Sequence, residues 1–239
     1  MILFNNLHKI YKARNGEAVK ALDGFSLEIG ENQVFALAGV NGAGKTTALK
    51  ALFGLITLDD GKVILPEQSD SKPYRLCFAP EITDLPDYLT VEEAIAFSCR
   101  LAGVADDFRL TERAVTMFEL QSQRSKLIKT LSKGNRQRVS LAAAIAYEAE
   151  IVVFDEPTSG LDPLGRRLIK KAIKQLKEEG RTVIFTTHML ADLPELCDRM
   201  AVVHNGKIVF EGLVSEFCHE TSLEALEESF AKLVGQGAE

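Results

Sequence analysis

An α/β fold built on a parallel sheet is the class this 239-residue sequence predicts, and three apolar runs with polar ends carry the prediction. Val34 to Ala38 leads straight into Gly39-Val40-Asn41-Gly42-Ala43-Gly44-Lys45-Thr46-Thr47, then into a helically spaced segment with Leu49, Leu52 and Phe53 on one face. Ile151-Val152-Val153-Phe154 is a β-branched run of the kind buried on both faces of a parallel sheet, and it stops at Asp155 and Glu156. Val183-Ile184-Phe185-Thr186-Thr187 repeats the pattern and delivers His188. Open α/β sheets gather their ligands at the carboxyl ends of such strands.

The remaining elements follow in chain order. Phe25, Leu27 and Ile29 alternate with polar residues and run into a Gly30-Glu31-Asn32 turn, which suits a small antiparallel β-subdomain. From about residue 82 to 143 the pattern turns helical, as an insertion. Thr90 and Glu93 form a capping box ahead of Ile95, Phe97 and Leu101, and a second helix carries Leu110, Ala114, Phe118 and Leu120. Ser132 and Gly134 stand just before a third helix with Val139, Ala142 and Ala146 on its apolar positions. After Glu156, Pro157-Thr158-Ser159-Gly160-Leu161 is turn-rich, with Asp162 as the cap and Pro163 at the first position of the next helix. Asn205-Gly206 between the apolar halves of Ala201 to Phe210 is a strong hairpin signal. A last helix at about 222–234 places Leu223, Leu226, Phe230 and Leu233 on one face, away from Glu224, Glu227 and Glu228, and is expected to pack on its own domain. One domain over 1–239 is expected, without internal repeats or an added regulatory domain.

The glycine-rich loop carries the clearest chemistry. Glycine admits positive φ and close approach of backbone to an anion, and the helix starting near Lys45 adds unsatisfied N–H groups and the positive end of its dipole. This is a phosphate-binding loop in its proper strand-to-helix setting, and the fold expectation sharpens to a P-loop NTPase core. Lys45 is expected on the β- and γ-phosphates and the Thr46 hydroxyl on Mg²⁺. Two carboxylates directly after a buried strand are costly unless a cation faces them. Beside a phosphate loop that cation is Mg²⁺, so Asp155 is assigned to the metal and Glu156 to the water that attacks the γ-phosphate. His188 is a candidate sensor of the γ-phosphate or of that water. Ser132 and Gly134, at a helix N-terminus, make a second anion site.

Composition narrows the setting. A net charge of −6 argues against a surface devoted to nucleic acid. Cys77, Cys99, Cys197 and Cys218 show no paired short spacing and read as ordinary reduced thiols. No apolar stretch is long enough to span a bilayer, and Met-Ile-Leu-Phe gives way at once to Asn5 and Asn6 instead of a signal segment.

Together these motifs resemble the nucleotide-binding subunits of ATP-binding cassette (ABC) transporters, nearly end to end. Gly39 to Thr47 matches the Walker A loop, Leu131-Ser132-Lys133-Gly134-Asn135 the family signature, Ile151 to Glu156 Walker B, Ser159 to Asp162 the D-loop, and His188 the switch histidine. Tyr11 falls where the family places an aromatic on the adenine ring. The resemblance implies ATP and Mg²⁺ as cofactors. It also implies that Ser132 and Gly134 bind the γ-phosphate held by a second cassette, either a copy or a paralogue, and that Asn135 and Asp162 are among the ATP-binding residues. A separate membrane permease contacting the helical insertion is implied too, with the chain peripheral at the cytoplasmic face. Glu81 replaces the usual Q-loop glutamine, keeping an oxygen for Mg²⁺ and losing the amide donor. Lys133 and Asn135 depart from the commonest signature, and Val40 replaces a frequent Pro. The Lys133 signature and the Glu81 loop resemble the branch that works with ABC-2-type exporters. The alternative of a non-transport ABC ATPase on ribosomes or DNA usually brings tandem cassettes or a long coiled-coil insertion. A P-loop phosphotransferase gives no reason for the signature, D-loop and His188 to occur together.

Overall fold

The structure is a computed structural model that describes residues 1–12, 18–66, 74–81, 84–104, 108–217 and 223–236; of Leu223, Leu226 and Gln236 it describes the backbone. Two units divide the chain, Met1–Tyr74 with Thr182–Glu239, and Arg75–Arg181. The first unit contributes β1 (Ile2–Lys12), β2 (Ala18–Ile29), β3 (Val34–Ala38), α1 (Lys45–Leu52) and β4 (Asp60–Ile64). The second contributes β5 (Leu76–Ala79), α2 (Val91–Leu101), α3 (Phe108–Met117), α4 (Lys133–Ile145), β6 (Ile151–Phe154) and α5 (Pro163–Glu178). The chain returns to the first with β7 (Thr182–Thr187), α6 (Leu193–Leu196), β8 (Arg199–His204), β9 (Lys207–Leu213), α7 (Val214–Phe217) and α8 (Leu223–Gln236). The fold is α/β: parallel strands with helices, an antiparallel N-terminal sheet and a helical stretch between β5 and β6.

In the first unit, β1 pairs antiparallel with β2 and β4, while β3 pairs parallel with both β7 and β8 and β9 turns back antiparallel on β8. All five residues of β3 are fully buried, which explains a run with no polar face. The alternation in β2 is realised as read: Phe25, Leu27 and Ile29 point inward, and Phe25 meets Phe4 edge-on at 5.6 Å. Asn205 and Gly206 both take positive φ, 46° and 75°, which makes the β8–β9 turn the tight kind that Asn-Gly favours. Strand β4 was not anticipated. Its residues are mostly exposed, so no alternation marks it, and Gly61 sits in it because a Cβ would lie 2.3 Å from the Asn6 carbonyl.

In the second unit, β5 and β6 form a parallel pair. The Thr90–Glu93 capping box opens α2 as predicted. The buried face of α2 differs from the predicted one: Val91, Ala94, Ile95 and Cys99 face inward, and Phe97 and Leu101 are exposed. Ile95 is buried as predicted, while Val91, Ala94 and Cys99 complete the inward face in place of Phe97 and Leu101. Helix α3 ends at Met117, and beyond it Glu119, with φ 51°, stands between the buried Phe118 and Leu120. Arg124 ties the helices together, bonding Glu92 and Glu112 and lying 5.1 Å from the Phe108 ring centre. Cys77, Cys99 and Cys197 are reduced and buried, and burial pushes the Cys77 thiol up to about 12. Cys218 and Ser222 lie outside the described residues, as do the side chains of Leu223 and Leu226 in the expected apolar stripe. No helix among the described residues is long and apolar enough to cross a membrane.

Candidate nucleotide site

The phosphate loop joins β3 to α1, and its glycines are there for different reasons. At Gly39 a Cβ would lie 2.6 Å from the Val203 carbonyl, and at Gly44, φ 112°, it would lie 2.4 Å from the Ala21 carbonyl. Both are pressed backbone to backbone against neighbouring strands. Gly42, φ 82°, faces open space, so there the demand is conformational alone. Ala43 N–H donates to the Val40 carbonyl at 3.2 Å, closing the turn. Lys45 is only 5 % exposed and folds its ammonium back inside the loop, donating to the carbonyls of Gly39 at 2.6 Å and Val40 at 3.3 Å. Thr46 is exposed in the first turn of α1, and the Val40 side chain points outward. A buried ammonium, a glycine-lined cradle and a helix N-terminus form a receptor for a polyphosphate.

His188 belongs to the same unit. Thr187 pairs with Ala38, and its carbonyl accepts from Gly39 N–H at 3.2 Å, so the residue before His188 is bonded to the first residue of the loop. The Thr187 hydroxyl accepts from Met189 N–H at 2.8 Å and fixes the bend that leaves His188 exposed. Tyr11 lies near the end of β1, paired with Val19, its exposed ring 5.4 Å from the Lys9 ammonium.

In the second unit, Asp155 and Glu156 are 4 % and 7 % exposed at the end of β6. Glu156 has φ 50°, a left-handed conformation that costs a non-glycine residue about 1–3 kcal/mol and is typical of functional sites. Its carbonyl accepts from Ser159 N–H at 3.1 Å, and Asp155 N–H donates to Ala79 at 2.9 Å. Among the described residues no three His, Cys, Asp or Glu side chains are grouped to hold a metal by themselves. A strand-end carboxylate suits Mg²⁺, which binds through one or two protein oxygens and completes its shell with phosphate and water. Glu81 is exposed, two residues past β5.

The signature segment is a helix cap. Ser132 caps α4, its hydroxyl accepting from Asn135 N–H at 3.3 Å, and the Asn135 side-chain oxygen accepts from Arg138. Gly134 therefore lies inside the first turn of α4 and not before it, because a serine cap with its bond to the third residue sets the helix start at Lys133. A Cβ on Gly134 would come within 3.7 Å of Leu161, and one on Gly160 within 3.4 Å of the Lys133 ammonium, so the signature turn packs on the segment after Glu156. Asp162 caps α5, accepting from Gly165 N–H at 2.7 Å, with Pro163 in the first turn as predicted. Two residues were missed. Gln137, buried on α4, donates to the Pro157 carbonyl at 3.2 Å. Gly206 donates to the Ala43 carbonyl at 2.8 Å. The Asn-Gly turn was a readable signal for the second, and no signal in the sequence marked the first or pointed to either partner.

Fold and loop together define a P-loop nucleotide-binding protein of the α/β class. A family model described as ABC transporter matches residues 22–159, more than half of the chain. An ABC transporter ATP-binding protein of Synechocystis, itself uncharacterized, is 34% identical over 220 residues, covering 88% of this chain and 62% of that protein. The Nod factor export ATP-binding protein I of Cupriavidus metallidurans is 33% identical over 221 residues, 89% of this chain and 71% of its own. Among solved structures, a dimeric bacterial ABC transporter cassette superposes with a TM-score of 0.79 at 25% identity, covering 90% of this chain and 99% of that one. The chain belongs to the ABC transporter family, in its ATP-binding part, as the motifs predicted. It spans less than two thirds of the length of the Synechocystis relative.

Proposed function

We propose that this chain binds and hydrolyses ATP to drive a separate membrane permease, in the direction of export. The phosphate loop carries the reading, because a lysine held almost wholly inside a glycine cradle serves no packing purpose that a leucine would not serve better. Loop amides from Gly39 to Thr47 and the Lys45 ammonium hold the phosphates, and Tyr11 takes the adenine. Thr46, Asp155 and Glu81 are the residues that would hold Mg²⁺, which when bound neutralises phosphate charge. Glu156 orients the attacking water and accepts its proton, held in place by its constrained backbone. His188 senses whether the γ-phosphate is present. Ser132, Gly134, Asn135 and Asp162 serve the nucleotide of a second cassette, so the working unit is a dimer.

The permease would dock on the second unit. There a groove of 390 Å³ is lined by Phe78, Pro80, Leu85, Leu101 and Tyr147, and the same unit exposes Tyr88 and Phe97. Export is supported by the Lys133 signature, by Glu81 and by the Nod factor export relative. Such a chain sits at the cytoplasmic face of a membrane through its partner, with no nucleic acid involved. Affinity capture from detergent-solubilised native membranes, followed by mass spectrometry, tests it. A multi-helix membrane protein in near-equal amount is expected. Ribosomal or DNA-associated proteins in its place would overturn the transport reading, and a phosphorylated acceptor in place of free phosphate would overturn hydrolysis.

A further inference from the structure

We infer that Gly206, in the turn between β8 and β9, is a positioning residue for the phosphate loop, aiming the Gly44 amide at the bound phosphate. The inference rests on the nucleotide reading of that loop. Gly206 N–H donates to the Ala43 carbonyl at 2.8 Å, and the Gly206 carbonyl accepts from Asp23 N–H at 3.0 Å. One buried glycine thus bonds the loop on one side and β2 on the other. The Ala43 carbonyl and the Gly44 N–H belong to the same planar trans peptide and point in opposite directions. Holding the carbonyl on the turn therefore directs the Gly44 N–H away from the turn, into the side of the loop that faces solvent and ligand. Without that bond the peptide is free to rotate and the amide loses its aim.

The packing leaves no room for another residue at 206. Its φ is 75°, and a Cβ would lie 2.8 Å from the Ala21 carbonyl and 2.9 Å from Leu22 Cα. From the other side, a Cβ on Gly44 would lie 3.3 Å from Gly206 Cα, so the two glycines face each other across the same contact. The turn is also anchored by charge. Lys207 lies 3.3 Å from the Asp23 carboxylate, with Lys20 at 3.6 Å and His8 at 3.7 Å, and the Lys207 ammonium holds Asp23 below the usual carboxylate range. The bridge from Asp23 through Gly206 to Ala43 joins residues distant in sequence, and no helix or strand needs it for its own hydrogen bonds.

The test combines ATP titration with backbone amide exchange on the whole chain. Gly206→Ala should weaken ATP binding about tenfold or more. Gly103→Ala, at a glycine with the same left-handed strain (φ 71°) and open space around it, should bind ATP like the unaltered chain. In the unaltered chain, ATP should slow exchange at Gly206 N–H together with that at Gly44. This second reading stands even if Gly206→Ala does not fold. Protection of the loop amides with Gly206 unchanged would overturn the inference, as would equal affinities for the two variants. An unaltered chain that fails to bind ATP overturns the nucleotide reading and this inference with it.

Discussion

The phosphate loop and the strand-end carboxylates of β6 serve one proposed reaction, yet they are built by different means. The loop is made of backbone: three glycines, two of them pressed against the carbonyls of Val203 and Ala21, and a lysine turned inward on its own loop. The carboxylate region is made of side chains at the ends of elements. Asp155 and Glu156 close a buried strand, Ser132 caps α4, Asp162 caps α5, and Gln137 pins the segment between. A backbone site tolerates little change of residue type, whereas a side-chain site tolerates change wherever the replacement keeps one oxygen in place. Glu81 in place of a glutamine falls in the second region and keeps an oxygen, whereas the one departure inside the loop, Val40 for a frequent Pro, has an exposed side chain that leaves the backbone cradle alone.

That contrast is broken most easily at Lys45. Lys45→Ala should weaken ATP binding by roughly a hundredfold, the equivalent of about 3 kcal/mol for a hydrogen bond to a charged group. Filter binding that shows near-parental affinity would mean that loop amides alone hold the nucleotide. On the other side, Ser132→Arg should leave ATP binding by the single chain unchanged and abolish an ATP-dependent dimer on size-exclusion chromatography. A normal dimer would remove the signature turn from the interface.

Alkaline pH sharpens the comparison through β5, which precedes Glu81. The Cys77 thiol, ordinarily near 9, is pushed up to about 12 by burial, so its neutral form is favoured by folding. Its contribution is complete below pH 9 and is lost as pH rises towards 12, at about 1.4 kcal/mol per pH unit. Urea midpoints at pH 8 and 10.5 should fall for the parent and fall less for Cys77→Ala. The smallest effect is expected at the capping box. Thr90→Ala removes the bond from Glu93 N–H and should cost about 1 kcal/mol of stability while ATP binding stays unchanged.

The same contrast governs what the sequence discloses. A backbone site needs glycines at fixed spacing, so the loop from Gly39 to Thr47 was legible, as were β3, β6 and β7 from their unbroken apolar runs. Caps are equally local, and Thr90, Asp162 and the Asn205-Gly206 turn read correctly. The inward face of α2 read only at Ile95, because Val91, Ala94 and Cys99 complete its packing while the larger Phe97 and Leu101 lie outside. Strand β4 escaped because an exposed edge carries no alternation. The contacts of Gly206 with Ala43 and of Gln137 with Pro157 are long-range hydrogen bonds to carbonyls, and a carbonyl has no letter in the sequence. The positive φ of Glu156 was hidden for the same reason.

Glu156→Gln bears most directly on the central claim, that one chain binds ATP through its loop and hydrolyses it through its carboxylate. ATP affinity and phosphate release would be measured side by side for parent and variant. The account predicts equal affinity, with release slowed by about a hundredfold or more. A variant that binds normally and still releases phosphate at the parental rate would contradict it.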